Sequence, residues 1–155
     1  MVRIAHHAVV AEAGELVSVG LGSCIAIAIH DPMARVGGLA HILLPAPPAS
    51  RAVENRAKYA STAVPLLLGE MRALGATGPF VGKIVGGAKL FGDLLASTGG
   101  TMGARNADAA RAALAAARVR LAGEEIGGDF GRTIRFDVAT GVVAVRSVRG
   151  GEHVL

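Results

Sequence analysis

Two apolar runs of strand length flank a short polar turn and set the pattern of this chain. Residues 24–29 are Cys followed by Ile and Ala, and residues 36–44 return with only one ionisable side chain, His41. Between them Asp31-Pro32-Met33-Ala34 is a turn signal, so the stretch reads as a β-hairpin with buried strands. A further strand is expected over 15–19, broken at Gly20-Leu21-Gly22-Ser23, where glycines permit positive φ and close backbone approach. Residues 58–74 change period. Ala60, Ala63, Val64, Leu67, Leu68, Met71 and Leu74 follow helical spacing, with Gly75 as C-terminal cap and Pro65 predicting a kink or a later start.

The second half continues in mixed fashion. Residues 80–85 read as a strand closed by Gly86-Gly87-Ala88, residues 89–95 as a short helical turn, and 96–103 as a loop. Asn106 is placed as the cap of a helix running to about 117. A strand follows at 119–122, then a glycine-rich loop at 127–132, then a second hairpin, 133–138 and 142–148, around Ala139-Thr140-Gly141. Residues 1–13 and 150–155 read as peripheral arms of a single domain spanning 1–155, with a short strand at 8–11 in an otherwise solvated N-terminal segment. Strands and helices do not alternate strictly, so the fold class is α+β, with mixed and antiparallel β-sheets packed against helices.

Composition narrows the function. Hydrophobic residues make up 52% of the 155 and charged residues 18%, which describes a chain able to build a core. No apolar run approaches a membrane span, and the N-terminus lacks the apolar stretch of a secretory signal, so no membrane insertion and a cytoplasmic location are expected. The net charge of +4 comes from scattered residues, and with aromatics at 3% and no Trp there is little to stack on bases. Nucleic acid is therefore not the expected partner. His6 and His7 are adjacent and on a strand would point to opposite faces. No carboxylate, His or Cys cluster has metal-ligand spacing, so neither metal nor organic cofactor is expected.

The chain holds one cysteine, Cys24. A lone cysteine is either a buried filler or a nucleophile. The glycine-rich approach favours the nucleophile, since it admits a reactant and offers backbone N–H groups, those of Ser23 and Cys24, to a developing oxyanion. If Asp31 to Ala34 form the turn, His30 faces Arg35 and Cys24 falls directly opposite His41, on one face of the hairpin. A one-residue error in the loop, such as one residue more, would oppose Cys24 to Ile42 and turn His41 away. An imidazole so placed can take the thiol proton; the other reading of His41 is a core histidine satisfied by a backbone carbonyl. His30 lies at the turn and is expected to be solvated, and His153 is in the tail. Ser18 supplies a hydroxyl just before the glycine turn that could hold the imidazole in one tautomer.

These residues resemble a known family. Gly20-Leu21-Gly22-Ser23-Cys24, then Asp31-Pro32, then Gly37-Gly38-Leu39-Ala40-His41-Ile42-Leu43-Leu44-Pro45 are similar to CheD, the chemoreceptor glutamine deamidases of bacterial and archaeal chemotaxis. The likeness continues through Lys58-Tyr59-Ala60, Lys83-Ile84-Val85-Gly86-Gly87-Ala88, Gly103-Ala104-Arg105-Asn106 and Gly127-Gly128-Asp129-Phe130-Gly131-Arg132. The resemblance implies a fold like that of toxin-type cysteine deamidases. It implies hydrolysis of glutamine side-chain amides on methyl-accepting chemotaxis receptors, through a thioester. It implies Cys24 as nucleophile, His41 as general base and acid, and Ser18 in the position of the family's threonine. Serine there lacks the methyl that restricts χ1, which implies a looser His41 and a slower enzyme. The resemblance also implies a second partner, a CheC-type phosphatase. A binding role through that partner, or another cysteine hydrolase activity, is the alternative. Loops 46–57 and 127–132 are candidate rims of the substrate groove.

Overall fold

The computed structural model describes residues 1–90 and 100–155. Three layers are present: helices, a five-stranded sheet, and a four-stranded sheet. The elements in order are β1 (His7–Ala11), β2 (Glu15–Leu21), β3 (Ile25–Asp31), β4 (Val36–Ile42), a 3₁₀ turn (Arg56–Lys58), α1 (Ala60–Ala73), β5 (Val81–Gly86), α2 (Met102–Ala116), β6 (Arg120–Ile126), β7 (Arg132–Asp137), β8 (Val143–Ser147) and β9 (Gly151–Val154). The larger sheet runs β1-β4-β3-β5-β6, antiparallel except for the parallel pair β5 and β6. The smaller sheet, β2-β7-β8-β9, is antiparallel throughout. The fold is thus α+β, as the element pattern predicted.

The central hairpin shows why. Every residue of β3 and β4 is buried, because both faces of the larger sheet are covered. Ile25, Ile27 and Ile29 point to the helices and pack with Leu67, Leu68, Met71 and Leu114. Ala26, Ala28 and Leu39 point to the smaller sheet and meet Leu16, Ile134 and Phe136. A strand between two apolar layers has no polar face to show, so it reads as a continuous apolar run.

The hairpin register differs from the expected one. Asp31 remains in the strand and pairs with Val36, so the loop is Pro32 to Arg35, one residue later. Two features place it there. Arg35 adopts φ +54°, and Asp31 Oδ1 accepts from the N–H groups of Met33 and Ala34 at 3.0 Å each. Moving a four-residue loop by one position shifts the pairing by two, so Ala26, not Cys24, stands opposite His41. An even shift preserves faces. Ala26 and His41 therefore share the side that looks toward the smaller sheet, and Cys24 lies one residue before β3, outside the ladder.

Three other expectations are corrected. Residues 1–13 are not a solvated arm: β1 pairs with β4, and Val2 is buried in the core between the sheets. Helix α2 begins at Met102, with Thr101 Oγ1 accepting from Ala104 N, so Asn106 lies inside the helix and is not its cap. Helix α1 starts at Ala60, later than residue 58, as the alternative for Pro65 predicts, and it contains Pro65. Its missing N–H leaves the carbonyl of Ser61 without that bond, and both residues are exposed, so water can serve instead. The tail after Gly150 forms edge strand β9. Residues 91–95 of the helical turn expected at 89–95 and residues 96–99 of the loop expected at 96–103 lie outside the described residues, while 102 and 103 open α2. Among the described residues no helix is long and apolar enough to cross a membrane.

Candidate functional site

Cys24 sits where the glycine turn delivers the chain into β3. Gly20 takes φ +71°, a conformation glycine adopts without strain, and Gly22 N–H closes the turn on Gly20 O at 3.0 Å. The outgoing segment is held from β5. Ala88 N–H donates to Gly22 O at 2.7 Å and Gly87 N–H to Cys24 O at 2.9 Å. Gly86, at φ +127°, lies so close that a Cβ there would strike the Cys24 carbonyl. The motif Gly86-Gly87-Ala88 thus braces the cysteine turn, a role its sequence alone did not announce.

His41 is on β4, one residue from the strand end, and no part of it reaches solvent. Its backbone is tied to the N-terminal segment: Ala5 N–H donates to His41 O at 2.8 Å and His41 N–H to His6 O at 3.0 Å. Its ring crosses to the smaller sheet, where Ser18 Oγ lies 2.8 Å from Nδ1. Ser18, fully buried on β2, also donates its hydroxyl hydrogen to Val2 O at 2.9 Å. That second bond decides the first. A carbonyl only accepts, so the single hydroxyl hydrogen is spent on Val2, and Ser18 can only accept from Nδ1–H. The ring is therefore the Nδ1–H tautomer, with a lone pair on Nε2. Nε2 is buried and finds no hydrogen-bond partner among the described residues. The N-terminal segment that reads as an arm in the sequence supplies the carbonyl that sets this arrangement.

Cys24 immediately precedes β3, and His41 pairs with Ala26, two residues further along; no hydrogen bond joins Sγ to the imidazole. Cys24 is 6% exposed. Burial pushes its thiol above the ordinary value, against a smaller pull from its own backbone N–H. Burial also pushes the His41 imidazole down to about 4, while the Val2 carbonyl draws it upward. Thiol and imidazole both rest uncharged near neutral pH. Such a pair can pass a proton from sulfur to Nε2 as a bond forms at sulfur.

The remaining histidines separate from this place. His30 is buried, not solvated: its Nε2 donates to Val138 O at 2.9 Å, and burial lowers its pKa. It stands six residues beyond Cys24, about 20 Å at the usual rise. His153 pairs with Glu125 at 2.6 Å and His7 with Glu70 at 2.8 Å. The two candidate rim loops both abut the Cys24 end of the sheet. Gly127 N–H donates to Gly86 O, and Gly127, Gly128 and Asp129 line a cavity of about 480 Å³ with Gly87 and Thr101. The 46–57 segment lines another of about 720 Å³ with Leu44 and Tyr59.

One residue at the site was missed as such. Asn106, fully buried on α2, donates from Nδ2 to Ser23 O at 2.9 Å and to Leu43 O at 3.0 Å. Its sequence signal was its place in Gly103-Ala104-Arg105-Asn106, which reads equally well as a helix start.

Fold and site together define a class: an α+β domain with a buried thiol at the entry to β3 and, between the two sheets, a tautomer-fixed imidazole held by a hydroxyl. The chain belongs to the CheD family. The family model described as CheD chemotactic sensory transduction matches residues 43–147. The probable chemoreceptor glutamine deamidase CheD 2 of Geobacter metallireducens is 43% identical over 150 residues, 96% of this chain and 93% of that protein. The chemoreceptor glutamine deamidase CheD of Thermotoga maritima is 37% identical over 154 residues, 99% of this chain and 94% of the relative. The probable deamidase of Archaeoglobus fulgidus is 40% identical over 148 residues, covering 92% and 90%. The family-model match begins after His41, whereas the Thermotoga alignment spans Ser18, Cys24 and His41.

Proposed function

We propose that this chain is a chemoreceptor glutamine deamidase, hydrolysing side-chain amides of receptor glutamines to glutamates and ammonia in the cytoplasm. Family membership supports the activity. The observation that carries the mechanism is the Val2–Ser18–His41 chain, which leaves Nε2 without a partner among the described residues, on the strand paired with the one that Cys24 leads into.

Cys24 Sγ attacks the carboxamide carbon as its proton passes to His41 Nε2. Electrons of the C=O bond move to oxygen, and the oxyanion is met by the N–H groups of Ser23 and Cys24, which have no backbone acceptor among the described residues. His41, now imidazolium and steadied by Ser18, protonates the amide nitrogen. The C–N bond breaks, ammonia leaves, and a thioester remains. Water then gives a proton to His41 and attacks the thioester; the C–S bond breaks, the proton returns to sulfur, and glutamate is released. No step calls for a metal or organic cofactor. Ser18 orients His41, and its two hydrogen bonds support a fixed rotamer without the family threonine's methyl.

The test is mass spectrometry of a receptor cytoplasmic fragment, with ammonia release followed in parallel. Wild type converts glutamines to glutamates; Cys24→Ala and His41→Ala do not. Undiminished conversion by Cys24→Ala would remove the mechanism. Binding of a CheC-type phosphatase is a separate property, and Cys24→Ala would leave it intact.

A further inference from the structure

We infer that Asn106 is a positioning residue that aims the oxyanion-binding N–H of Cys24. The inference rests on the proposed role of Cys24 as nucleophile.

A trans peptide is planar, with its C=O and the following N–H pointing in opposite directions. Whatever holds the Ser23 carbonyl therefore aims the Cys24 N–H. That holder is Asn106 Nδ2, and it is a side chain from another layer of the protein. The peptide before it is held likewise, Gly22 O by Ala88 N–H, which aims the Ser23 N–H. The one after it is fixed through Cys24 O by Gly87 N–H. Two of these three restraints are backbone bonds that survive any side-chain change. Only the middle one depends on a side chain.

The carboxamide orientation is unambiguous. Both neighbours are carbonyl oxygens, so the NH₂ group must face them. The second acceptor, Leu43 O, lies two residues beyond His41. In the β3–β4 register Cys24 would next oppose Leu43, but the ladder stops at Ile25 and Ile42. One NH₂ group thus ties the segment bearing the thiol to the segment bearing the imidazole, just past the end of their sheet.

Helix propensity does not account for this residue, and its two Nδ2 bonds come with one unpaired atom. Asn106 Oδ1 is buried and has no hydrogen-bond partner among the described residues. A buried acceptor without a partner is destabilising, and asparagine inside a helix is a weaker former than leucine. The side chain gives up stability at one atom while its other atom orients the turn beside the sulfur.

The experiment compares wild type, Asn106→Leu, Asn106→Asp and Cys24→Ala as full-length chains on a receptor cytoplasmic fragment. Three readings are taken: kcat and KM for ammonia release, the rate of Cys24 alkylation by iodoacetamide, and the melting temperature. Alkylation displaces iodide from a saturated carbon and forms no oxyanion. N106L is expected to lose roughly 100-fold in kcat, the scale of an oxyanion donor, with KM and alkylation rate nearly unchanged. A folded N106L with wild-type kcat would overturn the inference. So would a parallel fall in kcat and alkylation, which would mean that Asn106 only keeps Cys24 in place. N106D covers the case where N106L does not fold. Its carboxylate repels the two carbonyls when ionised and can donate one bond when protonated, so its kcat relative to wild type should rise as pH falls. A constant ratio across pH would count against the inference. Activity in Cys24→Ala would instead defeat the underlying reading of the nucleophile, a result separate from any outcome at Asn106.

Discussion

Replacing Ser18 by alanine tests the site at its most constrained point. The hydroxyl makes two buried bonds, 2.9 Å to Val2 O and 2.8 Å to His41 Nδ1, and no part of Ser18 is exposed. Without it both partners are left unpaired, and an unsatisfied buried polar group costs about 1–3 kcal/mol. The penalty on Nδ1–H applies to one tautomer only. It tilts the ring toward the Nε2–H form, which cannot accept the thiol proton. A tilt of that size lowers the competent fraction by about 5- to 150-fold, at roughly 1.4 kcal/mol per factor of ten. Ser18→Ala should therefore lose kcat within that range while KM stays near wild type. The melting temperature should fall as well, by an amount corresponding to about 2 kcal/mol for the orphaned Val2 carbonyl. Ammonia release gives the kinetics, and ¹H–¹⁵N correlation spectroscopy reports which ring nitrogen carries hydrogen. A wild-type ring protonated at Nε2 would refute the reasoning, as would Ser18→Ala with kcat within twofold of wild type. Ser18→Thr restores the hydroxyl and the family methyl; because the serine is already held at two points, kcat should change by less than about threefold.

Three further expectations concern pH and packing. The acid limb of kcat/KM should lie near pH 4 and not near 6.5, because His41 must be neutral to accept a proton and burial lowers it to about 4; a limb at 6.5 in a pH–rate profile would exclude His41 as that base. The same shift governs stability. The unfolded ring binds its proton near pH 6.5 and the folded ring near 4, so stability is full above 6.5 and falls by about 3 kcal/mol as pH drops between them; His41→Gln should flatten this decline in urea titrations. Asp31 faces burial, which raises its carboxyl, but backbone N–H groups of Ala34, Gly78, Thr77 and Met33 outweigh that and hold it low. Asp31→Asn presents an NH₂ to donors, and chemical denaturation should show a loss of about 3 kcal/mol near neutral pH. Gly86→Ala combines a left-handed φ with a Cβ driven into Cys24 O, so it should cost about 3 kcal/mol or more and lower kcat disproportionately at the displaced cysteine; an unchanged melting temperature would contradict this.

The sequence by itself determined most of the elements and offered Cys24, His41 and Ser18 as site candidates. Burial of β3 and β4 appears as Ile25 to Ile29 and as a Val36 to Ile42 run whose one ionisable side chain is His41, and the α1 stripe appears at helical spacing, because side-chain period and burial are local properties of the chain. The hairpin was legible because a short turn relates two strands by counting, but the count set Cys24 opposite His41, whereas a loop one residue later sets Ala26 there. Tertiary structure alone decided the rest. That Val2 reaches Ser18, that Ser18 reaches His41 across two sheets, and that Asn106 reaches Ser23 from a helix 83 positions away are contacts between distant segments. No local period encodes such contacts; they follow from the stacking of three layers. The same stacking desolvates His41 and Cys24, and so sets the protonation states that residue types alone leave open.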